Sequence, residues 1–291
     1  MTLSYTFFIL LGTAILLVWA GIDIYKKLGL TIFLTALILG VGLKYISFIG
    51  LGVIGSLATI LYLLQSNQVS GAYKLLLHLL HCLFFIGFSM HFVPGFHNWK
   101  IFNEILLSPH AIPYTMYLNV EKPTYIFLFL YFNKRLPIIQ YNWGKILKWT
   151  SISFILNFIL LSLANYGIKL VEWDPKLPTS LIISVWIPRM LLDTALGEEI
   201  FFRGYVQKNL TDLFRHFKLA PWIGCILASL IFGALHLPAG IPISIMATLA
   251  GIGYGLAYLK TNAIEASTLT HFLVNLLHFF LFTYPMLASN I

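Results

Sequence analysis

Two adjacent carboxylates, Glu198 and Glu199, stand in an apolar stretch that reads Gly-Glu-Glu-Ile-Phe-Phe-Arg-Gly-Tyr over 197–205. An ionised side chain at the centre of a membrane helix costs about 2.5–3.5 kcal/mol on insertion scales. Ionisable residues in such a stretch are therefore candidates for function. Glu199 and Arg203 are four apart, so on a helix they share a face and can pair. Glu198 is then turned about 100° away, with no local partner. Two later apolar stretches each carry further polar groups. His236 ends the run Ser-Leu-Ile-Phe-Gly-Ala-Leu-His that starts at Ser229, and His271 and Asn275 lie four apart, on one helix face.

A carboxylate, two imidazoles and an amide are suited to activating a water molecule and stabilising an oxyanion. Glu198, His236 and His271 are also a His₂Glu set of the kind that holds a catalytic zinc with an open position. The bland alternatives are specific. A single membrane histidine is often a buried hydrogen-bonding group between helices. Glu199 and Arg203 alone are consistent with an ion pair at a cytoplasmic helix end. Intramembrane Glu and His chains also serve proton- or ion-coupled transport, although no inverted repeat is visible. His78, His81, His91 and His278 lack comparable partners and read as structural or interfacial, and His216 as solvated.

Glu-Glu-x-x-x-Arg at 198–203, Phe-x-x-x-His at 232–236 and His-x-x-x-Asn at 271–275 occur in that order. Together they resemble the CAAX-protease and bacteriocin-processing (CPBP, or ABI) family of intramembrane endopeptidases, over roughly residues 180–280. The resemblance implies an all-helical membrane bundle with its catalytic residues sunk in a cavity. It implies Glu198 as general base on a water, assisted by His236, with His271 and Asn275 stabilising the oxyanion. Glu199 and Arg203 then have supporting work. Family members have been described both as metalloproteases and as glutamate-dependent proteases. The absence of an evident fourth ligand favours water activation without a metal, and a divalent ion such as zinc stays open. A non-catalytic member that binds a membrane partner is a further alternative, disfavoured by intact motifs. The substrate is expected to be a membrane-associated protein or peptide.

The elements that must position these groups are helices in a bilayer. Of 291 residues, 59% are hydrophobic and 10% charged, against about 25% charged in a soluble domain. The fold class expected is all-α, a polytopic transmembrane helical bundle. Candidate spans lie near 5–22, 28–45, 47–65, 74–94, 122–138, 147–170, 179–197, 220–238, 241–259 and 265–288, each judged against the ~20 residues that cross a hydrocarbon core. Strands are not expected, because period-two alternation is absent. The segment 96–122, with Pro109 and Pro113, reads as an interfacial loop. Residues 1–140 are expected to form an N-terminal membrane region of unassigned role, and 141–291 the catalytic core. The first apolar stretch lacks the basic lead and cleavage site of a signal peptide and reads as a retained span. Cys82 and Cys225, in apolar runs, read as reduced, buried thiols.

The net charge of +8 is carried by basic residues scattered between apolar runs. They read as topology anchors, and no nucleic-acid partner is expected. Lys134, Arg135, Lys145 and Lys148 mark one cytoplasmic loop, and Arg203, Lys208, Arg215 and Lys218 another. Glu172, Asp174 and Lys176 lie on the far side. The compact basic loops favour the cell (plasma or inner) membrane. These spans contain a conflict. A helix ending at 197 on the cytoplasmic face leaves Glu198 about 25–30 Å from His236 at the end of the returning span. Either residues 198–215 re-enter the bilayer or 179–197 does not fully cross.

Overall fold

A computed structural model describes residues 2–66, 69–133 and 137–288. Among them, eight helices are long and apolar enough to cross a bilayer, and the chain is a multi-pass helical membrane protein. Contacts divide it into two units, Met1–Ile101 with Tyr117–Tyr141, and Phe102–Met116 with Asn142–Ile291. Lys134 and Arg135, assigned above to a cytoplasmic loop, lie outside the described residues.

The first unit holds α1 (Thr2–Trp19), α2 (Asp23–Gly42), α3 (Phe48–Gln65), α4 (Gly71–Ser89) and α5 (Glu121–Phe132). The span expected at 122–138 is this 12-residue α5, too short to cross. It is apolar on every side, and Tyr125–Leu130 are all buried, as befits a helix interior to its unit. Glu121 at its start accepts hydrogen bonds from Asn98 Nδ2 and from the Val120 backbone. His81, read as structural, is fully buried, with its Nε2 2.9 Å from the Tyr125 hydroxyl. Cys82 is a half-buried free thiol, less enclosed than expected, and Cys225 is free and buried.

Strands do occur, in a short hairpin of β1 (Trp99–Ile105) and β2 (Tyr114–Leu118) within the segment read as a loop. Trp99, Ile101, Phe102, Ile105, Tyr114 and Tyr117 are β-favouring residues. The prolines that exclude a helix there, Pro109 and Pro113, sit in the connection, where a ladder loses nothing.

The second unit contains α6 (Trp143–Ile168), α7 (Ser180–Leu213), α8 (Ala220–Ala234), α9 (Ile241–Thr261) and α10 (Ile264–Leu281). Helix α7 corrects the expected span 179–197. It runs 34 residues without a break, about 50 Å at ~1.5 Å per residue. Two stretches of it are π-helical, Met190–Ala195 and Phe202–Gln207. Pro188 lies just ahead of the first. It cannot donate to the carbonyl four residues back and disturbs the ladder locally.

This one long helix removes the depth conflict. From Leu213 back to Glu198 is about 22 Å of helix, and from Ala220 to Leu235 about the same. Helix α7 passes through the level of Glu198 and turns only at 214–219. The 15-residue α8 returns just far enough to bring His236 to that level. Arg203, counted above as a loop anchor, is fully buried inside α7 and marks no loop.

Candidate active site

The two carboxylates occupy the short α-helical stretch between the π segments. Glu199 is fully buried, and its Oε2 accepts from Arg203 Nε at 3.0 Å. Both side chains are 0% exposed, so this is an interior ion pair and not a helix-end one. Arg203 Nη1 also donates to Ser229 Oγ at 3.3 Å and to Gln207 Oε1 at 3.5 Å, and its guanidinium lies 5.8 Å from the Phe232 ring centroid. Its Nη2 is buried without a described hydrogen-bond partner. Helix α9 closes on this guanidinium through glycines. A Cβ at Gly251 would stand 3.3 Å from Nη2, and one at Gly255 3.2 Å from Nη1 and 2.6 Å from Cys225 Sγ.

The other oxygen of Glu199 reaches the third motif. His271 Nδ1 lies 3.0 Å from Glu199 Oε1. The Glu199 carboxylate is paired with Arg203 and acts as acceptor, so His271 donates through Nδ1 and its Nε2 points elsewhere. Tyr254 of α9 stacks on the same imidazole, with centroids 4.4 Å apart and planes 10° apart, and Phe232 meets it edge-on at 6.1 Å. A hydrogen bond and two ring contacts thus fix the orientation of His271.

His236 caps the end of α8. Its Nδ1 is 2.8 Å from the Phe232 carbonyl. A carbonyl only accepts, so Nδ1 carries the proton and Nε2 is left as an acceptor. Asn275 Nδ2 donates to Met190 Sδ at 3.1 Å, a weak acceptor that gives up the amide readily. His236, His271 and Asn275, with Tyr254 and Phe232, line one cavity of about 510 Å³. The rest of its wall is largely apolar, including Phe154, Phe158, Leu161, Met246 and Phe282.

The sequence residues thus fall into two connected sets. Glu199, Arg203 and His271 are bonded together, and His236, His271 and Asn275 share a cavity wall. Glu198 is half-buried, without a hydrogen-bond partner among the described residues, and does not itself line the cavity. It lies near enough to Tyr254 for the two to interact electrostatically, as does Glu199. Among the described residues no three His, Cys, Asp or Glu side chains gather closely enough to hold a metal ion. The set Glu198, His236 and His271 therefore does not fit one as it stands.

Three features went unread in the sequence: the Tyr254 ring, the Gly251-x-x-x-Gly255 spacing and the Ser229–Gln207 shell around Arg203. The glycine spacing was the available signal, since small residues four apart mark close helix approach in membranes. His278, read as structural, bonds the Thr283 carbonyl at 3.1 Å and also lines the cavity. At one end of the cavity an extended strap follows α6. Leu170, Val171 and Trp173 line the cavity, and Trp173 bridges Phe282. There the Asp174 carboxyl is held below its usual range, first by a Ser108 hydrogen bond and then, against some burial, by Lys176.

Residues 179–277 match the family model described as type II CAAX prenyl endopeptidase Rce1-like. The match takes in all six motif residues and bears out the resemblance over roughly a third of the chain. No curated protein and no solved structure matches the chain.

Proposed function

We propose that the chain is an intramembrane endopeptidase of the CAAX prenyl type, hydrolysing a peptide bond of a membrane-associated protein or peptide. Glu198, which has no ion pair among the described residues, takes a proton from a water molecule. His236 holds that water through Nε2, the one ring nitrogen not engaged by the Phe232 carbonyl. His271, whose Nδ1–H is committed to the Glu199 carboxylate, turns its Nε2 edge to the reacting carbonyl and in its protonated form donates from there to the oxyanion. Asn275 adds a second donor by leaving Met190 Sδ. Preorganised donors of this kind are each worth about 10²–10³ in rate. Arg203, paired with Glu199 at 3.0 Å, is a positioning residue. No step is routed through a metal.

The observation that carries this reading is the shared cavity. His236 and the His271–Asn275 pair come from helices far apart in sequence and open onto one largely apolar space. That lining is compatible with a lipidated peptide, the substrate class in the family's description. The test is cleavage of a farnesylated peptide with a CAAX terminus in proteoliposomes. Wild-type protein is expected to release the terminal tripeptide, and His236→Ala to lose at least about a hundredfold in rate. Full activity of His236→Ala overturns the assignment. Absence of wild-type cleavage of prenylated and unprenylated peptides alike overturns the hydrolase reading.

A further inference from the structure

At the end of the second unit away from the strap, Lys260 in the last turn of α9 lies between two indoles from different helices. Its Nζ is 5.3 Å from the Trp149 ring centroid on α6 and 5.4 Å from the Trp222 ring centroid on α8. The lysine is half-buried, and among the described residues no carboxylate pairs with it. Two π faces hold the cation electrostatically while leaving its three N–H donors without an anionic partner. A flexible lysine on an open surface gives up much side-chain freedom to bind anything. This one is already positioned, so the entropic cost of binding is reduced.

The surroundings select the kind of ligand. Lys145 and Lys148 in the first turns of α6, and Arg215 and Lys218 in the turn before α8, are exposed at this same end. Of the acids there, Glu265 is 1% exposed and turned inward, which leaves Asp212 as the exposed one. Tryptophan and lysine together mark the level of the lipid headgroups. The anion most abundant at that level is a lipid phosphate. From the Trp149–Lys260–Trp222 bracket and the cations around it we infer that this is a binding site for the headgroup of an anionic phospholipid, with Lys260 contacting the phosphate. The site is separate from the cavity, and the inference does not depend on the hydrolase reading.

The experiment is lipid retention by the full chain, extracted from nanodiscs of phosphatidylcholine and phosphatidylglycerol and examined by native mass spectrometry. Wild-type protein is expected to retain phosphatidylglycerol in preference to phosphatidylcholine. Lys260→Gln should weaken that retention about tenfold or more, the share of one charge-assisted hydrogen bond to the phosphate. Trp149→Leu with Trp222→Leu, which keeps the charge and removes the bracket, should weaken it comparably. Lys218→Gln, which removes one exposed cation outside the bracket, should change it less than twofold, and the unfolding midpoints of the lysine variants should match wild type. Lack of headgroup preference in wild type, or equal losses in Lys260→Gln and Lys218→Gln, overturns the site in favour of diffuse surface attraction.

Discussion

Replacing Arg203 by methionine keeps the length of the side chain and removes its charge. Glu199, at 0% exposure, then keeps only His271 as a partner. At 3.0 Å and an effective dielectric of about 20, the attraction being removed is about 5 kcal/mol. Desolvation of both ions opposes most of that attraction, so the pair's net contribution to stability is small. Its removal is not small, because an uncompensated buried carboxylate remains, and breaking such a pair costs about 3–5 kcal/mol. Ser229 and Gln207 lose their guanidinium donor as well. The expected result is a loss of about 3–5 kcal/mol for Arg203→Met and a similar loss for Glu199→Gln. The double variant should lose clearly less than the two single losses combined. Equilibrium unfolding in mild detergent measures all three. A single-variant loss below about 1 kcal/mol, or strict additivity in the double variant, refutes the buried-pair argument.

Tyr254→Phe keeps the ring stacked on His271 and should hold peptide cleavage within about threefold, whereas Tyr254→Leu should lower kcat about tenfold with KM little changed, a barrier change of about 1.4 kcal/mol. Steady-state kinetics on a cleaved peptide separates the two. Gly255→Ala puts a Cβ 2.6 Å from Cys225 Sγ and 3.2 Å from Arg203 Nη1, and thermal unfolding should show an overpacking loss of about 1–3 kcal/mol. The Asp174 carboxyl, held below its usual 3.8 by Ser108 and Lys176, contributes stability that is present above that value and lost as pH falls through its lowered one. An acid-unfolding series should therefore be flatter for Asp174→Asn than for wild type below about pH 4. Dialysis against a chelator should leave peptide cleavage unchanged, and a loss restored by zinc would point to Glu198, His236 and His271 as ligands instead.

The helical membrane fold was legible because hydrocarbon leaves few options. Long apolar runs must close their own backbone hydrogen bonds, and most span positions followed from run length. Boundaries failed where apolar length and helix length differ. Helix α7 does not end at the charged residues 198–203, because Glu199 and Arg203 pair with each other inside the unit and Glu199 also bonds His271. A hydropathy reading takes them for a helix end. Helix α5 failed in the other direction, since a short buried helix is as apolar as a spanning one. The hairpin at 99–118 was hidden by its prolines. Within the site, the i,i+4 pairing of Glu199 with Arg203 was local and could be read directly. The bond from Glu199 to His271 joins residues 72 apart, and no local spacing announces it. The Tyr254 stack depends on how closely α9 approaches α10, and no local spacing announces that either.

Glu198→Gln keeps the shape of the proposed base and removes its ability to take a proton from water. The most direct measurement is kcat for cleavage of a farnesylated CAAX peptide by this variant in proteoliposomes, alongside its unfolding midpoint. Glu198 acting as the general base predicts a loss of about 10²–10⁴-fold, with the midpoint of wild type retained. A kcat within about tenfold of wild type for a folded Glu198→Gln protein would contradict it.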